Sequence, residues 1–425
     1  MSVRRPRRRQ RLAVPAVLLS VALMTAACGS DSDSASSASS GSGTDNSSLL
    51  GTANKATGDP VKIGWMSTGQ TQATDTTDEI RGAKAVVAYA NAHLGGLAGR
   101  PIELVVCEDK ATPAGAQACG NQFVTEGVAA VASGSTSAVD GAVQIVAPAG
   151  IPFTANLATT QTILGTKNVF VFTNPLSAFG TPAAYAREKQ ISSAAVVVID
   201  VPAASGPARA LSPAFFGNVN ASAQVIAIPP GTADMTPQVE AAQGKKPGMW
   251  HLAGDPTFCS SALRAIRTLA IDAPVTMLDR CIAPDGGASI PGGYKGVTVI
   301  AQAVQDPEDK EFQLYQAVLD KFGDGLTDDG DARSGFAGML SLIRGVNAKA
   351  PAEVTSESIS TALQTMPATP LPIGGGATFQ CNGQAIPAVS PNICATAAFV
   401  ADADAAGKLS NFRTLDSQGI YKLGG

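Results

Sequence analysis

The residue types that catalyse reactions occur in this chain, but they are not spaced for catalysis. Its 425 residues include only two histidines, His93 and His251, which lie far apart and show no metal-ligand spacing. The sequence contains no Gly-x-Ser-x-Gly, no Gly-x4-Gly-Lys-Ser/Thr and no Gly-x-Gly-x-x-Gly after a strand. We therefore predict that the protein is not an enzyme and uses no cofactor.

A group of aspartates between residues 324 and 331 suggests calcium at first sight. A calcium loop of the EF-hand type ends with a Glu at its twelfth position. Counted from Asp324 or from Asp328, that position holds Gly335 or Met339. A solvated loop explains the acidic residues better, so we predict no metal site.

Apolar segments of the chain alternate between strand-like and helix-like patterns, and the alternation runs through the sequence twice. The first series has strands at 61–66, 100–106, 128–132 and 151–153, with helices at 79–91, 113–126 and 138–149. The second series has strands at 194–199, 223–228, 249–253, 275–278 and 297–301, with helices at 208–216 and 260–271. Two later helices lie around 312–322 and 336–343. This pattern predicts an α/β fold with parallel sheets covered by helices on both faces.

The restart of the pattern predicts two doubly wound lobes joined by a hinge. We assign residues 59–178 plus about 306–375 to an N-terminal lobe, and 179–305 plus about 376–425 to a C-terminal lobe, because chains of this length form two hydrophobic cores. In such folds a ligand binds at the carboxyl ends of the strands. The crevice between the lobes is therefore the predicted binding site, and the lobes are expected to close on a ligand.

The start of the chain is typical of an exported lipoprotein. Six arginines precede an apolar run from Leu12 to Met24, which is too short to span a bilayer and ends in Thr25-Ala26-Ala27-Cys28. We predict a signal peptide over 1–27, with Cys28 lipidated and anchored to the bacterial cell membrane. Ordinary secretion with an unmodified Cys28 is the alternative. The pair Arg8-Arg9 faintly resembles a twin-arginine signal, although simple leader charge explains it better.

Composition limits the partners of the exported part. Residues 28–58 are nearly all small and polar, which predicts a flexible tether. The chain has 30 basic and 34 acidic residues, and six of the basic ones lie in the leader, so the exported part carries a net charge of about −10. This charge, with two Trp and five Tyr, argues against nucleic acid. We expect an extracytoplasmic monomer.

Cysteine spacing predicts three disulfides. Six cysteines remain after Cys28, and they form three pairs of near neighbours without any Cys-x-x-Cys spacing. Outside the cytoplasm, such an even set is best explained by disulfides. The predicted pairs are Cys107 with Cys119, Cys259 with Cys281, and Cys381 with Cys394.

Several short motifs in their order and spacing resemble the type I periplasmic binding proteins of the leucine/isoleucine/valine-binding family. They are Arg81-Gly82-Ala83, the segment from Leu94 to Leu104 (LGGLAGRPIEL), Gly150-Ile151-Pro152-Phe153 and the segment from Asp234 to Val239 (DMTPQV). The resemblance extends from about residue 62 to about 322. It implies a substrate-binding protein that captures a small polar solute, an amino acid or related carboxylate or amide, and delivers it to the permease subunits of an ABC importer.

The family grips a ligand carboxylate with hydroxyls and backbone amides of two N-lobe loops. By this resemblance Thr136 matches the first hydroxyl, and Leu157 and Thr159 match the second loop. Hydrogen bonds of this kind can hold an oxyanion without a counter-charge. The alternative is that these loops only turn the chain. The N-lobe candidates for ligand binding are Trp65, Ser67, Ser135, Thr136, Leu157, Ala158 and Thr159.

The sequence departs from the family on the other side of the cleft. The family's tyrosines fall near Asp75, near Ala204 or Ser205, and near Asp255 or Pro256. Its ammonium-binding Glu falls near Asp279 or Arg280. An Asp after a strand is as often a helix cap as a ligand residue. The C-lobe candidates, expected to set selectivity, are Ser205, Asp255, Phe258 and Asp279. Two other functions stay open: a sensor that signals to a membrane receptor with the same fold, and a surface interaction protein with an empty cleft.

Overall fold

A computed structural model describes residues 46–72, 74–134, 136, 138–158, 160–283 and 286–423. The strands are β1 (Val61–Ser67), β2 (Ile102–Glu108), β3 (Ala130–Ser133), β4 (Phe153–Ala155), β5 (Val169–Val171), β6 (Ser193–Ile199), β7 (Ser222–Ile228), β8 (Met249–Ala253), β9 (Val275–Leu278), β10 (Val297–Ala301), β11 (Thr369–Pro370), β12 (Thr378–Phe379), β13 (Phe399–Ala403) and β14 (Leu409–Thr414). The helices are α1 (Thr77–Tyr89), α2 (Pro113–Glu126), α3 (Val139–Val146), α4 (Gln161–Gly165), α5 (Ser177–Glu188), α6 (Pro202–Gly217), α7 (Thr236–Gln243), α8 (Pro256–Thr268), α9 (Lys310–Phe322), α10 (Gly330–Asn347) and α11 (Ser356–Thr365). Within these residues, every helix is too short or too polar to cross a membrane.

The N-lobe is built on a five-stranded parallel sheet in the order β2-β1-β3-β4-β5. Its central strands are almost wholly buried, because helices cover both faces and leave no solvent-facing side. Helices α2 and α3 pack together on one face, and α1 packs with α10 on the other. The predicted doubly wound arrangement is confirmed for this lobe.

The C-lobe is built on a seven-stranded sheet in the order β14-β13-β10-β9-β8-β6-β7. Five of its strands, β6 to β10, are parallel, as the sequence pattern predicts. The last two strands, β13 and β14, are antiparallel additions at one edge. The turn between them, Asp404–Lys408, lies beside the loop that follows β9, since Tyr294 and Ile282 approach Ala405 and Gly407.

The chain returns to the N-lobe after β10 to add α9, α10 and α11. Helix α10 lies so close to α1 that a Cβ atom at Gly335 would come within 1.9 Å of the Glu79 carbonyl oxygen. A Cβ at Gly82 would likewise come within 2.5 Å of the Ala332 carbonyl oxygen. Because glycine has no Cβ, the two helices can approach here, and the first turn of α10 is held at the edge of the crevice.

Three segments connect the lobes: residues 172–176, 302–309 and 366–398. The third pairs with the end of β5, just before the first segment, since the N–H of Val171 donates to the Asn392 carbonyl at 2.8 Å and the N–H of Cys394 to the Val171 carbonyl at 2.9 Å. The side-chain amide of Asn174 donates to the carbonyls of Thr396 and Ala397, both at 3.3 Å. These bonds make the crossing segments a shared hinge region.

Residues 46–58, the described part of the predicted tether, are folded against the N-lobe. Leu50 is 4% exposed and joins the N-lobe core beside α9. Backbone N–H groups of Asn54 and Ala56 donate to the carbonyls of Ala92 and Asn91 at 3.1 and 2.9 Å. This mostly small and polar tract contains one apolar pair, Leu49-Leu50. Burial of that pair offsets the conformational entropy lost when the segment is ordered.

All three predicted disulfides are present: Cys107–Cys119, Cys259–Cys281 and Cys381–Cys394. The first joins β2 to α2 in the N-lobe. The second joins α8 to the short turn Asp279–Cys281 after β9 in the C-lobe. These two pairs each fasten the carboxyl end of a strand, or the turn after it, to a neighbouring helix, whereas Cys381–Cys394 lies within the connecting segment 366–398.

Candidate functional site

A cavity of about 700 Å³ lies between the two lobes, at the carboxyl ends of the strands. The N-lobe contributes Asn156, Leu157, Phe312, Asp328, Asp331, Arg333, Ser334 and Ala337. The C-lobe contributes Asp279, Arg280, Ile282, Gly407, Lys408 and Leu409. The connecting segments contribute Thr173, Gln302, Ala303, Gln305, Leu371, Pro372 and Ile373. Its size and its mixture of apolar and polar groups suit a small organic solute.

A buried carboxylate, Glu79 in the first turn of α1, organises one part of the N-lobe edge. It is 1% exposed and accepts hydrogen bonds from the hydroxyls of Ser67 at 2.6 Å and Ser334 at 3.1 Å. Gly134 leaves the space for it, because a Cβ there would lie 1.8 Å from Glu79 Oε1. Ser67, a predicted ligand residue, therefore already donates its hydroxyl proton within the lobe.

A second buried carboxylate, Asp109 after β2, is hydrogen-bonded to Thr136. The Thr136 hydroxyl donates to Asp109 Oδ2 at 2.6 Å and accepts from the Thr68 hydroxyl at 3.2 Å and the Ala138 N–H at 3.3 Å. Asp109 also accepts the Ala111 N–H at 2.7 Å and is fully buried. A hydroxyl has one proton. In this arrangement Thr136 has none left to donate to a ligand carboxylate.

An arginine at the start of α10 is positioned by an acidic neighbour. The Arg333 guanidinium pairs with Asp328, whose Oδ1 also accepts the hydroxyl of the buried Tyr315 at 2.9 Å. Burial, and then the Asp328 charge, raise the pKa of Tyr315, so this phenol stays a hydrogen-bond donor. Arg333 is only 19% exposed.

An acidic group lies beside that arginine. Asp329 caps α10 by accepting the Ala332 N–H at 2.7 Å. Asp331, in the same turn, is half-buried and lines the cavity. Burial raises the pKa of Asp331, and the nearby charges of Asp329, Asp78 and Asp75 raise it further. This part of the N-lobe edge is therefore electrostatically negative.

On the C-lobe side, the carboxylate of Asp279 is held by backbone groups. Its Oδ2 accepts the Gln302 N–H at 3.0 Å and its Oδ1 accepts the Arg280 N–H at 2.7 Å. Burial raises the pKa of Asp279, while these bonds and the charges of Arg280 and Arg333 act in the opposite direction. The side chains of Arg280 and Lys408 are exposed and form no ion pair with any described residue.

Comparison with known proteins decides the class. A family model described as periplasmic binding protein matches residues 60–407. The chain belongs to the periplasmic binding protein family. Members of this family bind solutes outside the cytoplasm and are not enzymes. No curated protein matches the sequence.

Solved structures of periplasmic binding proteins share the fold at low sequence identity. A putative branched-chain amino acid ABC transporter protein from Rhodospirillum rubrum has 19% identity and a TM-score of 0.69, covering 84% of this chain and 99% of its own. The branched-chain amino acid transporter substrate-binding protein of Streptococcus pneumoniae, in complex with isoleucine, has 18% identity and a TM-score of 0.61, with the same coverages. A solute-binding protein of Rhodopseudomonas palustris, in complex with p-hydroxybenzoic acid, has 15% identity and a TM-score of 0.64, covering 85% and 99%. These likenesses confirm the two-lobed type I fold.

The structure of this binding protein brings only some of the predicted ligand residues together. Leu157 and Asp279 line the interlobe cavity. Asp255 and Phe258 instead line a separate pocket of about 440 Å³ within the C-lobe, where Asp255 caps α8 by accepting the Phe258 N–H at 2.9 Å. Ser205 is buried in the first turn of α6 and donates to the Val201 carbonyl at 3.2 Å.

The remaining candidates lie in the N-lobe or beyond the described residues. Trp65 is fully buried in the core, with its ring edge against α10 at Gly338, and Ala158 is buried in the N-lobe. Ser135, Thr159 and the lipidation residue Cys28 fall outside the described residues. The ligand contacts of all these residues stay predictions.

The three basic residues of the cavity lining were not among the predicted ligand residues: Arg280, Arg333 and Lys408. Arg280 directly follows Asp279, so its position after a strand could have suggested it. Lys408 lies in the turn between β13 and β14, two strands that were not predicted from the sequence.

Among the described residues, no group of His, Cys, Asp and Glu side chains could hold a metal ion. In the aspartate group between residues 324 and 331, Asp328 forms an ion pair and Asp329 caps a helix.

Proposed function

We propose that this binding protein captures a small polar solute, an amino acid or a related carboxylate or amide, and delivers it to an ABC importer. The observation that carries the proposal is the interlobe cavity of about 700 Å³, because it takes side chains from both lobes and from the connecting segments. A solute bound there is contacted by both lobes at once. Binding would therefore favour a closed state that a permease can recognise.

The ligands of structurally similar proteins support a solute of this size. The Streptococcus pneumoniae protein holds isoleucine and the Rhodopseudomonas palustris protein holds p-hydroxybenzoic acid. The two ligands differ in shape, and only isoleucine has an amino group, but both carry one carboxyl group. A carboxylate is therefore the chemical feature we expect in the ligand of this chain.

Membrane anchoring through Cys28 belongs to the same proposal. The arginine-rich leader and the small residues before Cys28 support lipidation. A lipid anchor would keep the protein at the membrane that holds the permease subunits, and we propose that it acts there as a monomer. Mass spectrometry of the N-terminal peptide tests this step: a diacylglyceryl cysteine supports it, and an unmodified Cys28 contradicts it.

Ligand binding is tested by a thermal-shift screen of amino acids, amides and aromatic acids. A ligand at 100 times its Kd should stabilise the protein by about 2.7 kcal/mol. Small-angle scattering with a confirmed ligand should show contraction, and an unchanged radius would rule out lobe closure. Uptake of the same ligand by cells with and without the protein then tests delivery. Binding without any effect on uptake would favour the sensor function.

A further inference from the structure

The charged side chains of the interlobe cavity differ in whether they already have partners. Arg333 is paired with Asp328. The Asp279 carboxylate accepts the backbone N–H groups of Gln302 and Arg280. The Arg280 guanidinium and the Lys408 ammonium, both on the C-lobe side, form no ion pair among the described residues, although the Arg280 charge acts on the neighbouring Asp279 carboxylate. These two cations are therefore free to bind an anionic group.

The N-lobe side is poorly suited to the same task. Of its described lining residues, Arg333 is already paired with Asp328, and Asp331 is a carboxylate that pairs with no described cation. Behind this edge, outside the cavity lining, Asp109 and Glu79 are two further buried carboxylates, and the Thr136 hydroxyl donates its proton to Asp109. An anion placed against this side would meet the Asp331 charge in a partly dehydrated site, where repulsion between like charges is several times stronger than in water.

We propose that the anionic group of the ligand, a carboxylate, is bound by Arg280 and Lys408 on the C-lobe side of the cavity. This inference rests on the proposed function and adds the orientation of the ligand. Its carboxylate faces the C-lobe, and its apolar body packs against Leu157, Phe312 and Ile282. The orientation is the reverse of the one implied by the family resemblance, in which N-lobe hydroxyls hold the carboxylate.

The charge of Asp331 should make the cavity selective for ligands with one carboxylate. A ligand that reaches from Arg280 and Lys408 toward the N-lobe brings its far end to the Asp331 side of the cavity. A second carboxylate at that end would be repelled, whereas a neutral or cationic end would not. The site is therefore selective for solutes with one carboxylate over those with two.

The test uses the full exported chain, purified from the host that exports it, and isothermal titration calorimetry with matched pairs of probes. The pairs are hexanoate with hexanamide, benzoate with benzamide, and leucine with leucinamide; adipate is the dicarboxylate. In any pair that binds, the acid should bind at least about tenfold more tightly than its amide, and adipate should bind more weakly than hexanoate. Because both cations are exposed, affinity for the acid should fall as salt rises.

Two substitutions test whether Arg280 and Lys408 bind the carboxylate of the ligand. Arg280→Gln and Lys408→Gln should each weaken binding of the best acid by about tenfold or more, and leave its amide unchanged. Lys245→Gln is the matched control, because Lys245 is an exposed lysine of the C-lobe outside both pockets and has no ion pair among the described residues. Circular dichroism melts show whether each variant is folded.

A second measurement identifies any solute that copurifies with the protein, by denaturing it and analysing the released small molecules by mass spectrometry. A solute with one carboxylate supports the inference. A neutral, cationic or dicarboxylate solute overturns it, as do equal affinities for acid and amide or unchanged binding in both variants, while the proposed function stands. If no solute is released and no probe binds, the proposed function and the inference both fail.

Discussion

The two sides of the interlobe cavity use polar residues in different ways. Behind the N-lobe side, Ser67, Glu79, Asp109 and Thr136 bond to one another or to neighbouring groups and are almost fully buried, outside the cavity lining. On the C-lobe side, Arg280 and Lys408 are exposed and unpaired among the described residues. Polar residues at the ends of strands therefore do not share one role. The four N-lobe residues stabilise the edge of the lobe, whereas Arg280 and Lys408 are available to a ligand.

The largest effect should come from removing the N-lobe carboxylate. Asp109→Ala leaves the Thr136 hydroxyl and the Ala111 N–H without their acceptor in a buried site, so we expect the free energy of unfolding to fall by about 3–5 kcal/mol. Arg280→Gln should change it by no more than about 0.5 kcal/mol. Urea denaturation of both variants measures the contrast. A loss below about 1 kcal/mol for Asp109→Ala would show that the two sides do not differ.

Removing one disulfide from each lobe tests whether the two sides of the cavity differ in their role in ligand binding. Replacing either Cys107 and Cys119 or Cys259 and Cys281 by Ser should destabilise the protein by about 3 kcal/mol, since each pair closes a short loop. Only loss of Cys259–Cys281 should also weaken ligand binding, because Cys281 is next to Arg280. Denaturation and calorimetry on the two double variants separate these effects. Equal losses of affinity would argue against a binding role confined to the C-lobe.

Lowering the pH should destabilise the protein through His251, a buried residue of the C-lobe that has no part in ligand binding. Burial lowers the pKa of His251 to about 4, although its Nδ1 is within 3.0 Å of the Thr276 hydroxyl. The unfolded chain takes up this proton near the ordinary value of about 6.5, so stability is lost as pH falls from about 6.5 to 4, by roughly 3 kcal/mol in total. His251→Asn should flatten that part of the curve of stability against pH, while His93→Gln should not. Equal slopes in the two variants would contradict the assignment.

The smallest effect concerns Asp255, which was predicted from sequence to set selectivity. Because its side chain caps α8, Asp255→Ala should lower the free energy of unfolding by about 1 kcal/mol, and Asp255→Ser should restore it. A selectivity role predicts in addition that the order of ligand affinities changes. Calorimetry with the probe panel distinguishes the two: a changed order in Asp255→Ser, which keeps the cap, would support selectivity.

Buried strands and their partner helices were the most predictable part of the fold. Strand β8 begins and ends where its apolar run does, and α2 is bounded by a Thr-Pro start and a Gly end. The short strand β5 and the antiparallel pair β13 and β14 were not recognised. Three-residue apolar segments lie below the length at which a period can be detected, and β14 is a half-exposed edge strand with mixed composition.

The candidate site was less predictable because it depends on contacts between distant segments. The family resemblance pointed to Leu157 and to Asp279, and both line the cavity, while their ligand contacts stay predictions. Sequence position gives less about the rest of the site. It could not show that Thr136 would give its proton to Asp109, 27 residues away in sequence. Nor could it place Lys408 in the same cavity as Arg280, because that placement requires the unpredicted strands β13 and β14. Hydrogen-bond competition and edge-strand pairing are tertiary effects, and a local pattern does not encode them.

The folded segment 46–58 has a mechanical consequence. Hydrogen bonds from Asn54 and Ala56, together with the buried Leu50, fasten the beginning of the described chain to the N-lobe. A pull on the chain from its N-terminal side is therefore borne by the N-lobe. If the protein is anchored through Cys28 and closes on its ligand as proposed, the N-lobe stays fixed and the C-lobe moves. Arg280 and Lys408 would then move with the C-lobe, so opening of that lobe would set the moment at which the ligand is released.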